Sequence, residues 1–177
     1  MNKKDWKKKT LGEVCKLYQP TTISTKEMVA DGPYNVFGAN GIIGKYDKYN
    51  HEFSEITMTC RGATCGHINI TTPKSWINGN AMVIHINDET LLNRKFLVYQ
   101  LLFIDKKHII TGAAQPQITR QTLSPLLICV PSLSEQEAIV ARLDALSENV
   151  RKLEEINHRT IAECDALRQS ILRQIFD

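Results

Sequence analysis

The 177-residue chain has no run of about 18 uncharged apolar residues, which excludes an ordinary transmembrane helix. Met1 to Lys9 is basic with no apolar segment behind it, so it does not read as a secretory leader. Five cysteines, at positions 15, 60, 65, 129 and 164, make an odd set without a paired framework. Reduced thiols in a cytoplasmic protein are the expectation. Cys60, Cys65 and His67 offer three metal donors at C-x4-C-x-H spacing but no clear fourth, so no metal is expected. The patterns G-x-S-x-G, H-E-x-x-H, G-x-G-x-x-G and G-x-x-x-x-G-K-[ST] are missing, as is the Asn/Asp-Pro-Pro-aromatic tetrapeptide of amino-methyltransferases. Asp105 beside Lys106 and Lys107 lacks a second acid, which makes a weak nuclease signal. No catalytic residue and no cofactor is expected. The segment 134–177 lacks both glycine and proline.

That uninterrupted segment carries the strongest pattern in the chain. Leu143, Val150, Asn157, Cys164 and Ile171 fall on heptad position a, and Leu146, Leu153, Thr160, Leu167 and Gln174 on position d. Alternating three- and four-residue steps make a coiled-coil seam. Ser134 with Glu137, just after Pro131, reads as its capping box. At about 1.5 Å per residue the helix would run roughly 65 Å, longer than one small domain needs. Asn157 and Thr160 form a polar layer near its middle. In an antiparallel pair centred between residues 158 and 159, Asn157 meets Thr160 of the partner. The same register sets Leu153 against Cys164, Val150 against Leu167 and Leu146 against Ile171. A homodimer through Leu143, Leu146, Val150, Leu153, Asn157, Thr160, Cys164, Leu167 and Ile171 is the expectation. A helix packed on its own domain, or one serving a different protein, is the open alternative.

Apolar residues make up 42% of the chain, enough for a real core. Charge is uneven. Residues 1–133 carry 16 Lys and Arg against 10 Asp and Glu, whereas residues 134–177 carry 6 against 9. Any polyanion is thereby directed to the first part and not to the helix. A solvated surface explains the same balance. The arm Lys3, Lys4, Lys7, Lys8, Lys9 reads either as phosphate-contacting or as a solvated terminus.

Within 1–133, Thr10-Leu-Gly-Glu13 is a capped helical turn preceded by Trp6. Tyr34–Phe37 is a strand, and Asn40-Gly41 turns it into a hairpin. Ile56–Cys60 and His67–Ile70 flank the turn Arg61–Gly66. Ala81–Ile86 is a buried central strand. Asn93 caps a helix to Ile104, apolar nearly all round. Leu126–Val130 is a last strand. The fold class is α+β: a mixed, sheet-rich domain at 1–133 followed by one long coiled-coil helix at 134–177.

Loop residues suited to base edges are Arg61, Thr64, Asn78, Gln115, Gln117, Thr119 and Arg120, and those suited to phosphates are Lys45, Lys106 and Lys107. Each alone is also an ordinary surface residue. The run from Lys106 to Arg120 is the densest.

The chain resembles the specificity (S) subunit of type I restriction–modification systems. The resemblance rests on Leu11-Gly-Glu-Val14 after Trp6, Gly41-Ile-Ile-Gly-Lys-Tyr46 with Asp47, and Arg61-Gly-Ala-Thr64 with Gly66. It continues through Gly112 with Gln115 and Ile118, then Val130-Pro131 with Leu133-Ser-Glu-Gln136 and Ile139. It implies a target recognition domain and a spacer helix, one of each where the family has two. It also implies double-stranded DNA as ligand and separate methyltransferase (M) and restriction (R) subunits as partners and catalysts. No membrane is implied. Arg142, Glu148, Arg151, Lys152, Glu155 and Arg159 would face M, or form a solvated face with pairs Glu148–Lys152 and Glu155–Arg159. The rival readings are a small stand-alone DNA nuclease and a coiled-coil scaffold without DNA specificity.

Overall fold

The structure is a computed structural model and describes residues 6–112 and 114–176. In chain order the elements are β1 (Lys7–Thr10), α1 (Leu11–Val14), β2 (Cys15–Tyr18), β3 (Tyr34–Gly38), β4 (Gly41–Tyr46), β5 (Ile56–Thr59), β6 (Ile68–Ile70), β7 (Trp76–Ile77), β8 (Ala81–Ile86), α2 (Arg94–Phe103), α3 (Arg120–Leu123), β9 (Leu127–Val130) and α4 (Leu133–Phe176). Three small sheets run β1-β9, β2-β8-β5-β6 and β4-β3-β7. The α+β expectation holds. Among the described residues no helix is long and apolar enough to cross a membrane. The chain divides into two compact units, one through Glu137 and one from Ala138.

The first unit is built on β8. It is paired antiparallel on both sides, and five of its six residues are buried, as its unbroken apolar run predicts. Met58, Met82, Ile84, Leu97 and Leu101 are fully buried together with Leu11, Leu92, Ile118, Leu123 and Ile128. Each such side chain contributes roughly 1.5–3 kcal/mol by leaving water. A satellite core joins the two larger sheets through Phe37, Ile77, Ala81 and Val83, with Tyr18 against it.

Buried amides join segments far apart in sequence. Gln136 is fully buried. Its Oε1 accepts from the Asn93 amide at 2.8 Å, and its Nε2 donates to the Leu91 and Pro131 carbonyls, each at 2.9 Å. The start of α4 is thus tied to the start of α2. Gln100 of α2 serves β9 likewise, donating to the Cys129 carbonyl and accepting from its amide at 2.6 and 2.9 Å.

The local sequence signals at Thr10 and Asn93 hold. Thr10 and Glu13 form the capping box of α1, and the Asn93 side chain accepts from the Phe96 amide. Four expectations change. Lys7–Thr10 is a strand paired with β9, because its backbone finds an edge whatever its side chains do; Lys3 and Lys4 lie outside the described residues. Helix α4 starts at Leu133, not Ser134. Ser132 forms the box, its hydroxyl donating to Glu135 at 2.8 Å and accepting from the Glu135 amide at 3.4 Å. Burial of Gln136 places the first turn earlier than the Ser134 spacing implies. Helix α2 is one-sided: Phe96, Leu97 and Leu101 are buried, but Leu102 and Phe103 are exposed. On α4, Glu148 pairs with Lys152 as expected, whereas Glu155 pairs with Arg151 and Arg159 with Glu163. Arg151 reaches a glutamate on either side of it, Glu148 and Glu155, so Glu155 is already engaged from its N-terminal side.

In the second unit the seam residues Leu146, Val150, Leu153, Leu167 and Ile171 are 46–62% exposed in the single chain. Asn157, Thr160 and Cys164 are exposed too, and Leu143 is half-buried.

Candidate nucleic-acid interface

Backbone pairing, not side-chain contact, assembles the candidate site. The turn after β5 and the loop before α3 meet across antiparallel bridges of Gln117 with Arg61 and with Thr111. The Gly62 amide donates to the Pro116 carbonyl at 3.1 Å, and the Ile118 amide to the Cys60 carbonyl at 2.9 Å. Thr111 and Gln117 exchange both backbone hydrogen bonds at 2.8 Å. Arg61 and Gln117, 56 positions apart in sequence, thereby become neighbours, and both are exposed.

Two glycines set the curvature. Gly66 has φ +89°, and a Cβ there would sit 3.2 Å from Cδ of Lys106. Gly112 has φ +84°, and a Cβ there would fall 2.4 Å from the Gln115 carbonyl oxygen. Both combine a left-handed backbone with a close approach, so only glycine fits.

The Lys106 side chain lies against Gly66. One cleft is lined by Thr64, Gly66, His67, Asp105, Lys106 and Lys107, with Ile104 and Ile110 as its apolar wall. Burial pushes the Lys106 ammonium below its ordinary pKa, and adjacent Asp105 opposes that shift. A phosphate would restore the lost solvation of this charge. The Asp105 carboxylate accepts from the Lys107 amide at 3.0 Å, which gives it a turn-forming role. Buried Cys60 has its thiol pushed up to about 11, chiefly by burial.

The expected residues therefore divide. Arg61, Thr64, Lys106, Lys107 and Gln117 come together; Gln115 sits in the same loop and is exposed. Arg120 lies in a second cleft with Lys16, Gln121 and Ser124. Lys45 is exposed on β4 in the β4-β3-β7 sheet, and among the described residues no hydrogen bond links its side chain to the Arg61 turn. Two residues have other duties. Asn78 is 3% exposed. Its side-chain oxygen accepts from the Ile23 amide at 3.0 Å and from Trp76 Nε1 at 3.1 Å, and its nitrogen donates to the Ile23 carbonyl at 3.2 Å. Its amide is occupied in holding a loop. Thr119 caps α3, accepting from the Thr122 amide at 3.2 Å. His67, weighed in the sequence only as a metal donor, lines the first cleft, and Lys16, which carried no motif of its own, lines the second.

A sequence model of the family "Type I restriction modification DNA specificity domain" matches residues 3–159. The chain belongs to this family. It is 25% identical over 155 residues to the type I restriction enzyme EcoprrI specificity subunit of Escherichia coli, covering 85% of this chain and 38% of that one. It is 30% identical over 118 residues to a putative type I restriction enzyme specificity subunit of Haemophilus influenzae, covering 65% and 30%. The fold matches the crystal structure of the type I restriction-modification system S subunit from M. genitalium with a TM-score of 0.73 at 23% identity, covering 90% and 44%. A chain from a structural study of complex assembly and conformational transition in the type I R-M system matches with a TM-score of 0.76 at 24% identity, covering 96% and 45%. These relatives are named as specificity subunits or belong to such a system, and the type I specificity-subunit resemblance read from the sequence holds. The chain spans less than half the length of each of these relatives.

Proposed function

We propose that this chain is a sequence-reading, non-catalytic subunit that binds double-stranded DNA through the surface formed by Arg61, Thr64, Lys106, Lys107, Gln115 and Gln117. Arginine and glutamine side chains read base edges there, and the lysines hold phosphates. The observation that carries this reading is the backbone junction of the Arg61 turn with the Gln117 loop, in a chain of a DNA specificity family. Two copies pair antiparallel along α4 and read the two halves of a bipartite, inverted-repeat site, since a two-fold protein matches two-fold DNA. The exposed apolar seam supports this pairing. Separate M and R subunits supply the chemistry.

Binding of a fluorescent duplex library, measured at stepped salt, tests the reading. Affinity is expected to fall steeply with salt as phosphate contacts release counterions. Arg61→Ala and Gln117→Ala should relax sequence preference, each by roughly 1–3 kcal/mol at one base pair. Salt-independent binding, or preference unchanged in both variants, would overturn it.

A further inference from the structure

At the opposite end of β5 from Arg61 lies a third cleft, chemically unlike the one lined by Lys106 and Lys107. The strand is four residues long, so about 10 Å separates the Cα atoms at its ends. Glu55 stands just before the strand and Arg61 follows shortly after it. The cleft has a volume of about 570 Å³ and is lined by Phe53, Ser54, Glu55, Pro73, His85, Glu89 and Arg94. Among these residues the Glu55 side chain is only 7% exposed. One oxygen, Oε1, meets His85 Nδ1 at 2.8 Å. The other, Oε2, is buried and has no hydrogen-bond partner among the described residues. Leaving such an acceptor unsatisfied is costly, and native interiors rarely do it.

The neighbouring cation does not meet this need. Arg94 donates to the Ser54 carbonyl and pairs with Glu89 Oε1 at 3.3 Å. His85 serves only Oε1. What remains is one carboxylate oxygen lacking a donor, a second glutamate that is 68% exposed, and the Phe53 ring, 74% exposed beside them. A guanidinium suits all three. It presents N–H donors in a planar fork, sheds water more readily than an ammonium, and stacks on aromatic faces. The terminal torsion of a glutamate is soft, so Oε2 is free to turn to meet a donor placed in the cleft that Glu55 lines.

We propose that this cleft receives an arginine side chain presented by a partner polypeptide. An apolar rim around a desolvated charged centre is how protein interfaces concentrate binding energy, and exposed Phe53 and Pro73 supply that rim. A duplex would be repelled by the two glutamates, so the partner here is not the nucleic acid assigned to the other end.

The test is an NMR titration of the isotope-labelled full chain, following the Glu55 carboxyl and His85 ring signals. N-acetyl-arginine methylamide should shift them saturably, and the neutral citrulline analogue should bind roughly tenfold more weakly. Glu55→Gln should lose a comparable factor with the remaining amide spectrum unchanged. Should that variant fail to fold, the surface change Glu89→Gln carries the test: it frees Arg94 to compete for Glu55 and should weaken arginine binding several-fold. A Leu-Arg-Leu peptide should bind about threefold tighter than Ser-Arg-Ser, and Phe53→Ser should cancel that gain. Equal binding of the arginine and citrulline probes, or no effect of Glu89→Gln, would overturn the site. No gain from the leucine flanks would overturn the polypeptide partner.

Discussion

The two units of this chain handle the same kinds of residue in opposite ways. Up to Glu137, the large aliphatic side chains of β5 and β8 and the inward face of α2 are buried, and the side-chain amides of buried Gln136 and half-buried Gln100 satisfy backbone groups of distant segments. From Leu146 onward, leucines and isoleucines on α4 keep around half of their surface in water. An isolated helix gains little from propensity alone and draws its stability from packing an apolar face. The first unit finds most of its apolar contacts within itself; the second carries an apolar stripe that is left in water in the single chain.

This contrast can be broken at several points. Leu97→Ala should cost the first unit about 2–5 kcal/mol, the range for emptying a well-packed leucine site, read as a shift in urea midpoint. Leu167→Ala at low protein concentration should shift it by less than about 0.5 kcal/mol, as for an ordinary surface change. Gln136→Leu leaves the Asn93 amide and two carbonyls without their partner and should cost roughly 2–3 kcal/mol in the same measurement. Leu153→Asp should leave the urea midpoint of the first unit unchanged and convert dimers to monomers in sedimentation. An unchanged mass would show that the stripe serves some other contact.

Smaller effects sharpen the comparison. Ser132→Ala removes the cap of α4 and should cost about 1 kcal/mol. The Glu135 carboxyl is held below its usual range by hydrogen bonds from the Ser132 hydroxyl and amide. A depressed carboxylate stabilises the fold above its unfolded pKa, and that contribution is lost as pH falls through the folded value. The difference between wild type and Ser132→Ala should therefore be constant near neutrality and shrink below about pH 4. Thiol labelling is the mildest probe. Exposed Cys164 should react first, while buried Cys15 and Cys60, their thiols pushed up to about 12 and about 11 by burial, should react only on unfolding. Slower labelling of Cys164 at high protein concentration is the expected mark of α4 pairing.

What could be read in advance was local or periodic. The heptads of α4, the capping residues Thr10 and Asn93 and the unbroken apolar run of β8 each state their structure within a few residues. The rest depended on distance. Lys7–Thr10 shows no strand-like side-chain pattern, because its pairing with β9 uses only backbone. Asn78 resembled a surface reader, yet its partner Ile23 lies 55 residues away and no short window contains both. The nearness of Arg61 and Gln117 was invisible for the same reason, although each had been singled out by its chemistry. His85 and Glu55 come together only because antiparallel strands place their ends side by side.

The junction at Gln117 carries one more consequence. The two loops are fastened by main-chain bonds and by glycine conformations, so the side chains at 61, 64, 115 and 117 do not fasten them to each other. Those four positions can be rewritten like interchangeable type in a fixed frame. On the DNA reading proposed above, side-chain changes there alter what is recognised and leave the main-chain frame in place.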